Sequence, residues 1–158
     1  MTPLRVSREM ADLTRLIKLC HHVEALAPGS AAGMTLTDQG HTHIERALFP
    51  SLPASFSAAL TDVPLEPSGF GSCVKAIACG QTITCPDIQS DQIFDPAWRE
   101  VCLKYGLKSI QSRPVYVEGK ARGTFVLAYK DARPESEWDG ALMTFAADAA
   151  TEALSSKQ

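Results

Sequence analysis

The segment 'KSIQSRPVYVEGKARGTFVLAY', residues 108 to 129, constrains the fold more than any other. It reads as two strands, 108–117 and 121–129, joined through Glu118, Gly119 and Lys120. Strands joined this tightly pair antiparallel. Two further strand-like runs, 'SAAGMTLTD' and 'HTHIERALF', meet at a turn over Asp38, Gln39 and Gly40, and 'QTIT' at 81–84 gives a short fifth strand. The sheet must then be covered. Residues 8–26 supply an amphipathic helix on which Met10, Leu13, Ile17 and Cys20 recur at helical spacing. Ser7 is placed to cap its start, and Pro28-Gly29 ends it. Pro134 opens a last helix with Trp138, Leu142, Phe145 and Ala149 on one side. The stretch 50–69 carries four prolines and reads as a loop with one helical turn around Ser55–Leu60. The resulting order is helix, two strands, small helices with a short strand, two strands, helix. That is an antiparallel α+β plan with a sheet between helices.

Length and composition exclude several classes. The 158 residues suit one domain, residues 1–158, with enough chain to bury a core. The net charge of -3 offers no basic stripe for a phosphate backbone, so direct nucleic-acid binding is not expected. No apolar run approaches the ~20 residues of a membrane span, and the N-terminal residues hold no signal-peptide core. Five cysteines without regular spacing point to free thiols in a reducing cytoplasm.

The chemistry-bearing residues concentrate in 'GSCVKAIACGQTITCPDIQSDQIFDPAWREVCLKYG', residues 71 to 106. The first ten residues form a short helix, with Ser72 as its N-cap and Gly80 as its stop. 'DPAWREVCLKYG' forms a second, capped by Asp95, with Pro96 in its first turn and Gly106 at its close. Trp98, Val101, Cys102 and Tyr105 share one face of it. Cys73, Cys79, Cys85 and Cys102 lack the C-x(2–4)-C spacing of zinc sites and read as buried apolar spacers. His41 and His43 share a strand face without a third ligand nearby, and adjacent His21 and His22 diverge around a helix. No metal site is expected. Phosphate-loop, nucleophile-elbow and EF-hand motifs do not occur.

An ordered series of short motifs resembles the GAF domain of bacterial sensor kinases and cyclic-di-nucleotide signalling proteins. The series is 'LP' at 52–53, 'GSC' at 71–73, 'DI' at 87–88, 'DPAW' at 95–98, 'GL' at 106–107, 'SRP' at 112–114, 'GTF' at 123–125 and Tyr129. Val74 and Gln111 depart from the pattern, standing where a Gly and a Trp are usual. The resemblance implies a PAS-related sheet of five or six antiparallel strands. Helices 8–26 and 134–154 would cover one face, and a ligand pocket would lie on the other, walled by residues 71–106.

It also implies a cytoplasmic, non-catalytic sensory domain, a homodimer through its terminal helices, serving an output domain such as a histidine kinase or diguanylate cyclase. The expected ligand is small and polar or anionic, held by Ser72, Cys73, Asp87, Trp98, Tyr105 and Ser112. Ligand binding is expected to order the loops around 62–72 and 87–95. Bilin-binding members carry a Cys-His pair, which here occurs only at Cys20-His21 in the first helix, so no cofactor is expected. Two rival readings remain. One is a free methionine sulfoxide reductase, in which Cys73 at a helix start attacks and Cys85 or Cys102 resolves. That group has acidic residues on the strand matching 'GTFVLAY', and this strand has none. The other is a dimerisation module whose pocket is filled by its own side chains.

Overall fold

The computed structural model describes residues 3–66 and 70–155, with side chains from Met10 onward. Its elements run α1 (Pro3–Leu26), β1 (Ser30–Thr37), β2 (Ile44–Leu48), α2 (Ala54–Leu60), α3 (Ser72–Cys79), β3 (Ile83–Cys85), α4 (Pro96–Lys104), β4 (Ser109–Val117), β5 (Lys120–Tyr129) and α5 (Gly140–Ser155). The strands form one sheet in the order β2-β1-β5-β4-β3, antiparallel throughout. This is the GAF-like α+β architecture expected from the sequence, with five strands.

The last strand in the sequence, β5, lies at the centre of the sheet between β1 and β4. Glu118 (φ 52°) and Gly119 (φ 81°) make the two-residue turn that pairs Val117 with Lys120. Positive φ at both positions matches the right-handed twist of the flanking strands. Helices cover both faces of the sheet, so β5 is buried from Gly123 to Tyr129 and apolar from Phe125 on. Phe125, Leu127 and Tyr129 meet α1 and α5 in one core, together with Val115 of β4 and Ala32 and Met34 of β1. Val126 and Ala128 face the other way into a second core with α2, α4 and Cys73 of α3. Pro114 sits in β4 beyond the reach of β3, which pairs only with Ile110–Ser112. A residue without an N–H is tolerated on such an unpaired stretch.

The terminal helices lie together on one face, as expected, but the surfaces they present differ from the sequence reading. Helix α1 begins at Pro3, so Ser7 lies inside it and not at its cap; the Ser7 side chain is outside the described residues. Leu16, Cys20 and Val23 form its buried face, with Ala27 buried just beyond its end, and Met10 is 62% exposed. Helix α5 begins at Gly140 rather than at Pro134, because a short 3-10 helix (Glu135–Glu137) intervenes and Asp139 accepts from the Leu142 N–H at 3.1 Å. Trp138 therefore precedes the helix and packs on Tyr129, with ring centroids 5.1 Å apart. The break shifts the helical frame. Leu142, Met143, Ala146, Ala147 and Ala150 point inward, and Phe145 is turned out beside His22.

Two substitutions gauge this packing. Phe125→Ala empties fully buried space and is expected to cost about 3–5 kcal/mol in urea unfolding. Asp95→Ala removes only the α4 cap, where the carboxylate accepts from the Ala97 N–H, and is expected to cost about 1 kcal/mol. Equal losses for the two would contradict the placement of Phe125 at the centre of the core.

Candidate functional site

On the face of the sheet away from α1 and α5, five small polar residues are buried together. Thr35 of β1 and Thr124 of β5 face each other across the strand pair and share a hydrogen bond of 2.6 Å. Ser72 of α3 and Ser112 of β4 share another, at 2.8 Å. The Cys73 Sγ lies 3.4 Å from the Ser112 Oγ. All four hydroxyl residues are fully buried. Such a cluster is tolerated because each hydroxyl has a partner.

Cys73 and Thr35 also line a small cavity. Its remaining walls include Ile44, Leu60, Val63, Phe70, Val74, Gly71 and Trp98. The free space is only about 10 Å3. A single water needs roughly 10–15 Å3. The described wall residues carry no charge. Trp98 is 1% exposed, and its ring lies 4.9 Å from that of Phe94. A Cβ on Gly71 would overlap the Trp98 indole at Nε1 and Cδ1. The glycine thus marks a close approach between the start of α3 and α4.

Four of the expected site residues therefore converge: Ser72, Cys73 and Ser112 in the polar cluster, and Trp98 in the cavity wall beside Cys73. Ser72 is not the N-cap. Gly71 takes that position with extended backbone, and the Ser72 side chain makes no cap hydrogen bond because it is turned onto Ser112. Tyr105 lies elsewhere, at the seam of α2 and α4, where its ring meets Phe56 and its hydroxyl shares a hydrogen bond with Ser55. Asp87 is half-buried in the turn after β3 and acts electrostatically on Cys85. Neither Tyr105 nor Asp87 is among the residues lining the cavity. Thr35, Thr124 and Gly71 were not expected as site residues. Gly71 and Thr124 stand inside the 'GSC' and 'GTF' motifs, which was the signal available for them, whereas Thr35 belongs to no such motif. Part of the 62–72 loop, residues 67–69, lies outside the described residues.

The cysteines are predominantly interior. Cys20, Cys73, Cys85 and Cys102 are buried, Cys79 is exposed, and all five are free. Burial pushes the Cys73 thiol up, opposed by the hydroxyls of Ser112, Thr124, Ser72 and Thr35. Burial also raises Cys85 to about 12, with the Asp91 carboxylate adding to the shift. Cys20 rises to about 12 through burial, reinforced by the negative charge of Glu24. Cys102 is raised as well, chiefly by burial. These thiols hold their protons, the opposite of an activated nucleophile.

The histidines do not share a strand face. His41 has φ 61° in the loop, and His43 forms only an isolated bridge with Pro64. Among the described residues no group of three or more His, Cys, Asp or Glu side chains is placed to hold a metal.

The GAF domain model matches residues 14–154. The chain belongs to the GAF domain family. It is 24% identical over 123 residues to the methyl sulfide methyltransferase-associated sensor of Methanosarcina acetivorans. That match covers 77% of this chain and 12% of that sensor, so the chain spans a small part of its relative. Among solved structures, a GAF domain region from Geobacter sulfurreducens superposes with a TM-score of 0.72 at 16% identity, covering 94% of this chain and 96% of that one. The type II free methionine-R-sulfoxide reductase of Thermoplasma acidophilum superposes with a TM-score of 0.65 at 16% identity, covering 93% and 94%. These likenesses establish the fold. Among the described residues no helix is long and apolar enough to cross a membrane.

Two measurements check the thiols. A thiol-reactive dye should label Cys79 rapidly in the native protein and the other four cysteines only on unfolding. Rapid labelling of Cys73 would contradict its burial. The raised pKa values also set a pH dependence. A thiol that keeps its proton in the folded state but ionises near its ordinary value of 9.0 when unfolded favours unfolding at alkaline pH. Stability should therefore be unaffected by these groups below about pH 9 and fall between there and about 12. Substituting Cys20 and Cys85 by Ala should flatten that limb.

Proposed function

We propose that the chain is a non-catalytic sensory domain that binds a small molecule between the sheet and the α3–α4 wall. The single observation that carries this reading is the buried polar cluster beneath an apolar-walled cavity. Pockets that recognise small ligands combine apolar walls with a few convergent polar groups. Here Thr35 and Cys73 reach the cavity and Ser72, Ser112 and Thr124 support them. An anionic ligand draws no support from the wall, which offers no cation to pair with it. A neutral polar ligand fits better.

The sensory reading is favoured over reductase chemistry. The buried thiols are protonated, and β5 presents no carboxylate to hold a substrate amine. We further propose a cytoplasmic homodimer through α1 and α5, with an output domain such as a histidine kinase or diguanylate cyclase reading the packing of those helices. Met10 and Phe145 leave apolar surface on the outer side of this pair, beside a groove lined by Arg15, Lys18, Leu19 and Glu152. Ligand occupancy would then bias helix packing by a population shift.

The small volume of the cavity favours a second reading, a dimerisation module that needs no ligand. A thermal-shift screen of neutral heteroaromatics, amino acids, nucleotides and small anions separates the two. A ligand at about a hundredfold excess over its dissociation constant adds about 2.7 kcal/mol. For a domain of this size that should raise Tm by roughly 5–10 °C. Trp98→Ala and Ser112→Ala should each alter the shift. A hit undiminished by both changes places the site elsewhere. No hit from a broad screen, with a dimer in light scattering, supports the second reading. Turnover of free methionine sulfoxide that is lost in Cys73→Ser would replace both with the reductase.

A further inference from the structure

We propose that Trp98 is an intramolecular occupant of the binding cavity, and that the natural ligand is a small, neutral, planar molecule with a hydrogen-bonding edge that takes the place of its indole. This rests on the ligand-binding reading above. Three observations combine.

First, the cavity is closed by a side chain rather than absent. Trp98 forms part of the wall facing Thr35 and Cys73, and only about 10 Å3 remains beside it. Removing an indole from such a position leaves space comparable to the ~150 Å3 apolar cavities that hold benzene.

Second, Gly71 serves the indole and not the backbone. Its φ of -156° is ordinary extended geometry, open to any residue. Yet a Cβ there would overlap the indole at Nε1, Cδ1 and Cε2, and these are the nearest atoms that it would meet. The start of α3 is thus shaped to receive the ring of Trp98.

Third, the chemistry below the ring is neutral and adaptable. Thr35 and Cys73 line the cavity; the Thr35 hydroxyl is bonded to that of Thr124, and the Cys73 thiol lies 3.4 Å from the Ser112 hydroxyl, itself bonded to Ser72. A hydroxyl rotates to donate or accept, so the floor matches ring nitrogens, N–H groups or carbonyls. No charged side chain lines the cavity, so burying an ionised ligand there would leave its charge uncompensated. The apolar side chains of Phe70, Leu60 and Val63 complete the walls. The exchange would move α4, because Trp98 lies in its first turn behind the Asp95 cap.

The test uses the full chain carrying Trp138→Phe, labelled with fluorotryptophan so that fluorine NMR reports Trp98 alone. Indole is the neutral probe and benzoate the anionic one. Indole should shift the Trp98 resonance saturably from a buried to a solvent-exposed position, and benzoate should not. Gly71→Ala should show the exposed position without ligand. It should bind indole about tenfold or more tightly than the parent, because a larger fraction of the protein is binding-competent. If Gly71→Ala does not fold, the titration of the parent chain decides alone. A Trp98 resonance that stays buried at saturating indole overturns the proposal. So does a folded Gly71→Ala protein with Trp98 still buried. Equal displacement by benzoate overturns the neutral-ligand assignment. A screening hit that raises Tm while the Trp98 resonance stays buried overturns the gate and leaves the sensory reading standing.

Discussion

The close fit of the Trp98 indole against Gly71 closes one side of the candidate cavity. It joins α4 to the residue that caps α3, in a wall that Thr35 and Cys73 also line. The hydroxyl pairs fix α3 to β4 and β1 to β5 in a region where unpaired polar atoms would each cost about 1–3 kcal/mol.

The two faces of the sheet divide the work. On one, α1 and α5 meet the side chains of Phe125, Leu127 and Met34 in a continuous apolar core. On the other, α2, α3 and α4 are short and joined by loops, and the core there includes polar atoms. Short, loop-connected elements are the ones that open at low cost. Glu24 of α1 links the two sides: its carboxylate accepts from the Ala32 N–H at 2.9 Å and from the Ser51 hydroxyl at 2.7 Å. A terminal helix is thereby tied to the loop that leads into α2.

Much of the fold was legible because its signals are local. The hairpin of β4 and β5, the Asp95-Pro96 start of α4 and the stop at Gly80 are each written in adjacent residues. Frames that depend on where an element begins were not. Trp138 sits at helical spacing from Leu142 and Phe145, but the break at Asp139 takes it out of the helix and rotates Phe145 to the surface. Ser72 looked like a cap because a hydroxyl at a helix start usually is one, whereas its hydroxyl is drawn across to Ser112, 40 residues away. The site was half legible. Ser72, Cys73, Trp98 and Ser112 were reachable from motifs. The pairing of Thr35 with Thr124 was not, because it depends on the strand register. Nor could the volume of the cavity be read, since it is set by one side chain's fit against one glycine.

The most direct test of the central claim is a crystal structure of Trp98→Ala. An open space beside Thr35 and Cys73 is expected, with the hydroxyl pairs intact and ordered solvent or a bound small molecule in it. Collapse of Phe94, Phe70 and Leu60 into that space, leaving no cavity, would contradict it.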